Sequence, residues 1–418
     1  MEPLQARVAE IFRQEYARVV SSVARIVRDL DAAEEVVQEA FALALEHWPA
    51  GGLPRRPGAW LLTVARRRAL DRLRRARRAE THADALARES ELTSPEGSAD
   101  LNDPGAIPDD RLRLIFTCCH PALSPDGRVA LTLRLIGGLT IAEIARAFLV
   151  EEATIAQRVV RAKRTIRERA IPYEVPDGPE LAARLPAVLA VIYLVFNEGY
   201  AAHTGESLLR EDLCAEAIRL GGMLAGLMPG EAEVLGLLAL MELQASRMAA
   251  RTDAHGDVVL LADQDRSRWD RGRIERGLSC LQRGAAPERA GPYQLQAMIA
   301  ACHARAGSWE ATDWTRIVEL YDRLLALAPS PVVALNRAAA IGMAQGPEAG
   351  LATLDALDTR ALGGYHLLPA ARADFLRRLG RWDEAAAGYR EALGGTENGS
   401  ERRFLAGRLA ECERAAGR

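Results

Sequence analysis

Apolar residues recur every three or four positions along almost the whole chain, the spacing that places them on one face of an α-helix, so the pattern predicts an all-α protein. Over residues 5–79 the periodic stretches break at Pro49-Ala50-Gly51-Gly52 and again at Pro54 and Pro57, because proline in a helix interior loses a hydrogen bond. Asp31 followed by Glu34 has the form of a capping box and predicts a helix over Ala32–His47, with Val36, Val37, Phe41 and Ala44 as its core stripe. After Glu80 comes an acidic span containing Ser94-Pro95-Glu96-Gly97-Ser98 and Asn102-Asp103-Pro104-Gly105, which has little to bury and reads as a linker. Helical periodicity returns over residues 109–170 as Arg111–Phe116, Pro125–Ile136, Ile141–Phe148 and Ala153–Arg169, with Thr140 placed to cap the third of these. Pro172, Pro176 and Pro179 close the unit.

From Leu181 onward the helices continue with a different character. Ala306-Gly307-Ser308-Trp309, Gln345-Gly346-Pro347-Glu348 and Leu379-Gly380-Arg381-Trp382 each place a glycine just before a helix start. Gly346 and Gly380 are 34 residues apart and Gly307 and Gly346 are 39 apart, as though about five residues were inserted near Ala311–Trp314. A 34-residue period of paired helices looks like tetratricopeptide repeats, and Arg381–Tyr389 is the most typical stretch.

At 418 residues the chain should divide into roughly three units. Six cysteines with no regular spacing, apart from the adjacent Cys118 and Cys119, make no disulfide framework and suggest a reducing compartment. Glu2, Arg7, Glu10 and Arg13 exclude a secretory apolar region at the N-terminus, and the apolar run Leu185–Phe196 is too short to cross a bilayer. The expectation is a cytoplasmic protein with no membrane partner. The net charge of −3 is uninformative, but its distribution is not: ten arginines and one acid lie between Arg55 and Arg78, and eight acids and one base between Ala83 and Asp110.

Two constellations carry chemistry. Ile141, Ile144 and the small Ala145, a turn at Val150-Glu151-Glu152, and a second helix bearing Ile155, Val159 and Ala162 match a helix-turn-helix. The exposed face of that second helix carries Thr154, Gln157, Arg158, Arg161 and Lys163; Arg and Gln suit base edges in the major groove, while Arg161, Lys163 and Arg164 suit phosphates. The competing reading is a helical hairpin with a solvated basic face. In the N-terminal part Glu34, Glu35, Gln38 and Glu39 form an acidic and amide face, usually no more than a solvated one, beside a helix from Trp60 whose polar face is nearly all guanidinium, as phosphate binding requires. Trp60 reads as a core anchor. Asn197, Glu198 and His203, and also Asp263, Asp265, Arg266, Trp269 and Asp270, read as caps, ion pairs and a tight turn at His255-Gly256-Asp257 rather than as catalytic or metal sites, and Cys118 and Cys119 as buried thiols.

The order Asp31–Phe41, then Trp60-Leu61, then Asp71-Arg72-Leu73-Arg74-Arg75 resembles region 2 of extracytoplasmic-function sigma factors. The stretch from Leu131 through Thr140-Ile141-Ala142-Glu143-Ile144-Ala145 to Arg158-Val159-Val160-Arg161-Ala162-Lys163 is similar to their region 4, so the resemblance covers about the first 170 residues. It implies a transcription initiation factor with no catalytic residue, cofactor or metal, whose partners are RNA polymerase core and promoter DNA. It implies that Asp31, Glu34, Glu35, Gln38 and Glu39 dock on the polymerase clamp helices, and that Arg55, Arg56, Trp60, Arg66, Arg67, Arg74 and Arg75 grip the −10 element. Thr140, Thr154, Gln157, Arg158, Arg161 and Lys163 would contact the −35 element. The loop Pro49–Pro57 departs from the family pattern, with two glycines and three prolines, so no base-capturing residue is assigned there.

The domains expected are region 2 over 1–80, the acidic linker over 81–108, region 4 over 109–171, a helical extension over 172–290 and tetratricopeptide-like repeats over 291–418. The tail resembles that of a long subgroup, matched on Tyr193–Tyr200, which implies regulation in cis and a surface for a protein partner. Two alternatives stay open: a one-component regulator with a ligand-binding solenoid, and an enzyme over 181–290 fused to a DNA-binding domain, which a deep pocket with perturbed carboxylates would mark.

Overall fold

The computed structural model describes residues 2–85, 106–148, 150–200, 209, 211–253, 256–284, 290–357 and 365–417. The all-α expectation is met there: the regular elements are helical apart from one bridge pairing Thr252 with Val258. The chain forms two compact units, Met1–Val191 and Ile192–Arg418.

The first unit contains α1 (Glu2–Val27), α2 (Leu30–Gly51), α3 (Pro57–Ala85), α4 (Ala106–Cys118), α5 (Pro125–Leu135), α6 (Ile141–Phe148), α7 (Glu152–Glu168) and the start of α8 (Gly178–Tyr200). Helix α1 is its axis: Tyr16, Val19, Val20 and Val23 are fully buried, and α2, α3 and α4 all pack against it. The two sequence-predicted domains therefore share one folded unit.

Three expectations are corrected here. Asp29, not Asp31, caps α2: its extended backbone lets the carboxylate accept the Ala32 amide at 2.8 Å, so the helix starts at Leu30. The helix also continues through Pro49 to Gly51, where Gly52, at φ 78°, donates its amide to the Trp48 carbonyl. The amide that Pro49 lacks would have met the carbonyl of Leu45, a residue 52% exposed, so water can satisfy it. Both ends of the expected linker are helical, since α3 reaches Ala85 and α4 starts at Ala106; residues 86–105, with their Ser94 and Asn102 segments, lie outside the described residues.

The capping of α6 is as expected and more complete. Thr140 Oγ1 accepts from the Glu143 amide at 3.1 Å, and the Glu143 carboxylate accepts from the Thr140 amide at 2.8 Å, a reciprocal box. The segment with Pro172, Pro176 and Pro179 closes the unit by packing onto it. Ile171 and Pro176 are buried, and the Tyr173 hydroxyl donates to the carbonyls of Ser21 at 2.8 Å and Asp110 at 3.2 Å. The start of α8 is held too: Arg184, 6% exposed, donates to the Phe116 carbonyl at 2.9 Å. Helix α8 has 23 residues and contains an 18-residue window of mean hydropathy 1.7, so it is long and apolar enough to cross a membrane, unlike the run Leu185–Phe196 read alone. Its residues Leu185, Val188, Val195 and Phe196 are buried within the protein, which is the behaviour of a core helix.

The second unit contains α9 (Glu211–Leu227), α10 (Ala232–Ala245), α11 (Arg271–Arg283), α12 (Pro292–Arg305), α13 (Trp314–Leu327), α14 (Pro331–Ala344), α15 (Pro347–Asp355), α16 (Leu367–Arg378), α17 (Trp382–Gly394) and α18 (Gly399–Ala415). From α12 on, each helix packs on the next. Gly346 at φ 103° and Gly380 at φ 73° precede α15 and α17, conformations that side chains disfavour. The longer 39-residue spacing has a cause: α13 starts at Trp314 behind a loop that ends in the cap Asp313, which accepts the Arg316 amide at 2.9 Å. Caps and a tight turn stand among these residues: Asp265 accepts from the Ser267 amide, Asp270 from the Arg273 amide, and Asp253 from the Asp257 amide beside Gly256 at φ 80°. Trp269 is buried, while His203 and His255 lie outside the described residues.

Candidate functional site

Helix α2 carries the acidic and amide face. Glu35, Gln38 and Glu39 are exposed, as expected, with Glu39 paired to Arg68 and Glu35 to Arg72 of α3. Glu34 is not exposed. It is 6% exposed, accepts from the Tyr16 hydroxyl at 2.8 Å, pairs with Arg134 at 2.9 Å and is bridged by Lys163. Lys163, whose side chain is 10% exposed, also reaches Asp31 at 2.8 Å, and Arg167 reaches Asp31 at 2.6 Å and Asp29 at 3.4 Å. Burial raises the Asp31 carboxyl, but the Lys163 and Arg167 bonds and charges outweigh it and hold the group below the usual carboxylate range. The buried Tyr16 hydroxyl is pushed up by desolvation and by Glu34.

The face expected to bind polymerase and the helix expected to bind DNA are thus tied to each other through Asp31, Glu34 and Lys163. The wheel shows why. Glu34 falls on the α2 stripe of Leu30, Val37, Phe41 and Ala44, and Lys163 follows Val159 by one turn on the buried side of α7. Tyr16, Arg134 and Arg167 were missed by the sequence reading; a carboxylate inside an apolar stripe was the signal that partners had to exist.

The arginine helix α3 is mixed. Arg67, Arg74 and Arg75 are exposed, as are Arg55 and Arg56 before it. Arg66 is corrected: it is half-buried and donates to Ser22 Oγ at 3.0 Å, so it points into the protein. Trp60 is half-buried edge-on to Trp48, centroids 5.5 Å apart, an anchor as read. A second buried knot joins the halves, where Asp110, fully buried, takes Arg25 at 3.0 Å and Arg113 at 2.9 Å. Its carboxyl is raised, burial outweighing both arginines.

The helix-turn-helix packs as expected, with Ile144, Ala145, Ile155, Val159 and Ala162 buried. On α7 Gln157 and Arg161 are exposed and 3.5 Å apart, Thr154 is half-buried, and Arg158 pairs with Asp126 of α5 at 2.8 Å. Lys163 is withdrawn from the outer face. Cys118 and Cys119 are buried thiols, the second pushed up to about 11 by desolvation.

Comparison with known proteins supplies the framework for these faces. Residues 11–79 match Sigma-70 region 2, residues 113–166 match Sigma-70 region 4, and residues 184–285 match a family of unknown function, DUF6596. The ECF RNA polymerase sigma factor SigK of Mycobacterium bovis (strain BCG / Pasteur 1173P2) is 34% identical over 167 residues, 39% of this chain and 85% of its own length. The chain belongs to the ECF RNA polymerase sigma factors. As a sigma factor it is non-enzymatic and directs RNA polymerase to promoters. An uncharacterised protein of Rhizobium meliloti (strain 1021), R00370, is 46% identical over 394 residues, 93% of this chain and 92% of its own length, and so shares the C-terminal part as well. No solved structure matches.

Proposed function

We propose that this sigma factor docks on polymerase core through Glu35, Gln38 and Glu39, grips the −10 element through Arg55, Arg56, Arg67, Arg74 and Arg75, and reads the −35 element through Thr154, Gln157, Arg158 and Arg161. The observation that carries the reading is that Glu35, Gln38, Glu39, Arg55, Arg56, Arg67, Arg74, Arg75, Gln157 and Arg161 are exposed on or beside α2, α3 and α7, with Thr154 and Arg158 half-exposed, whereas Glu34 is buried, Lys163 is engaged by Asp31 and Glu34, and Arg66 by Ser22. Transcription from a promoter selected by this chain with purified core tests it: initiation that needs both proteins supports the reading, and initiation by core alone sinks it. Acting on polymerase places the protein in the cytoplasm. We further propose that the closed arrangement, with Lys163 and Arg167 on Asp31, is the resting form, and that regions 2 and 4 part when core is bound.

Arg158→Ala is expected to weaken promoter binding by about 1–3 kcal/mol and to relax preference at one −35 base pair, as loss of a bidentate base contact does. Binding titrations on a set of single-base variants check this. Equal loss on every variant would mark a phosphate contact instead. Because Asp126 holds Arg158 in the free chain, Asp126→Ala is expected to leave base preference unchanged.

The C-terminal unit, read as a tetratricopeptide-like solenoid that also offers a surface to a protein partner, is proposed to act in cis. A cut after Pro179 would remove Arg184 from Phe116, so the test is a chain ending at Val191. Its transcription is expected to fall about 5-fold or more, the lower range of an inter-site coupling. Unaltered transcription would leave the unit as an independent recruiting module.

A further inference from the structure

The second unit holds a polar cavity that none of the roles above uses. Its volume is 230 Å3, and its wall brings together Gln244, Arg247, Gln296, His303, Tyr321 and Asn336. It shares His303, Tyr321 and Asn336 with a wider groove of 550 Å3, where Trp309 and Trp314 meet edge to face at 4.6 Å.

The electrostatics of the smaller space are one-sided, whereas the groove is lined by Asp263 and Asp374 as well as Arg377, Arg378 and Arg408. Among the described residues no carboxylate lines the smaller space. Half-buried Arg247 has the Tyr200 hydroxyl at 2.7 Å and the face of Trp269 as partners. Arg266 donates to the carbonyls of His303 and Ala306, and its other terminal nitrogen is buried with no hydrogen-bond partner. The acid whose field reaches Arg266, Glu310, is exposed. Burial, then Arg247 and Arg266, pull the His303 imidazole down to about 4. His303 Nδ1 and Gln244 Oε1 are buried and unpartnered. Arg247 is thus a half-buried guanidinium in the wall with no carboxylate beside it, Arg266 stands behind the wall, and the buried polar atoms next to them lack partners, an arrangement that an anion would complete.

We propose that this cavity binds a small organic carboxylate bearing a planar ring, its carboxylate against Arg247 and its ring in the groove beside Trp309, Trp314 and Tyr321. One guanidinium with neutral amides around it suits a monoanion, whose two oxygens match the guanidinium fork. The aromatic side chains give the ring an apolar, stacking surface. The two spaces together fall within the usual size of small-molecule sites, roughly 300–1,000 Å3.

The test uses the full chain labelled at histidine carbons, with the His303 resonance assigned by His303→Gln. Benzoate or indole-3-acetate is expected to raise the His303 titration midpoint by about 1 or more, the effect of an opposite charge placed close by, and to quench tryptophan fluorescence. Benzyl alcohol, acetate and inorganic phosphate should do neither at the same concentration. Arg247→Gln should remove both responses, and Asn336→Ala, at an exposed position, should weaken them if the first variant folds poorly. A silent His303 with every probe overturns the proposal. So does an equal response to benzyl alcohol, which would mark an apolar groove, or to phosphate, which would mark an unselective anion hole. The readout is binding, so it stands apart from the transcription assays.

Discussion

Replacing Glu35 and Gln38 together with arginine is expected to abolish binding to polymerase core while leaving the fold intact. Both side chains are exposed on α2, and reversing charge against a basic partner costs several kcal/mol, so a loss of about 30-fold to 1,000-fold is expected. The ion pair of Glu35 with Arg72 is lost too, but an exposed pair of this kind is worth about 1 kcal/mol or less, so the melting temperature should move by only a few degrees. Fluorescence anisotropy with labelled sigma factor measures the affinity, and circular dichroism the melt. Unchanged affinity in a folded variant would remove α2 from the interface.

The second large effect is expected at Lys163. Truncating it to alanine leaves buried Glu34 with Tyr16 and Arg134 alone, which should cost the contact between regions 2 and 4 about 3 kcal/mol, the lower end for breaking a buried pair. If the closed form limits access to core, the population of open molecules rises and apparent affinity for core, measured without DNA, increases by up to roughly 100-fold. Small-angle scattering should show an increased radius of gyration. A more compact or unchanged particle with weaker core binding would show that Lys163 supports the binding-competent form instead. Because the Asp31 carboxyl is held below its ordinary range, its share of the contact is present above that range and is lost only as pH falls below it. Neutral pH changes should therefore leave the closed form untouched, whereas Asp31→Asn should weaken it.

The helices were legible because periodicity survives any packing arrangement. α6 and the box at Thr140 follow from eight residues of local pattern, and the buried residues of α7 from its spacing. What sequence did not show was which partners meet the charged residues that face inward. Glu34 and Glu35 are neighbours of the same type; the stripe of Leu30, Val37, Phe41 and Ala44 turns the first inward and leaves the second in water, but it does not say that Tyr16, Arg134 and Lys163 stand there. The partners were out of reach for the same reason, since Arg134 and Lys163 are local surface residues until α5 and α7 are laid on α2. Arg66 illustrates it again: in a run of three arginines, one turns to Ser22 because α1 lies beneath it.

Helix α1 has a consequence for how the protein is made. Its Arg25 is completed by Asp110, and its Ser21 carbonyl by Tyr173, a residue 152 positions further on. A ribosome adding about 5–20 residues per second leaves that contact unmade for on the order of 10 s after α1 is translated. Until α4 is made, about midway through that interval, the face of α1 destined for it remains in water, and the N-terminal helices cannot finish folding as each one emerges. Synthesis of this sigma factor therefore carries an obligatory waiting period, during which the nascent chain depends on whatever shields apolar helices at the ribosome, and a message broken before codon 106 yields a product with an unclosed core.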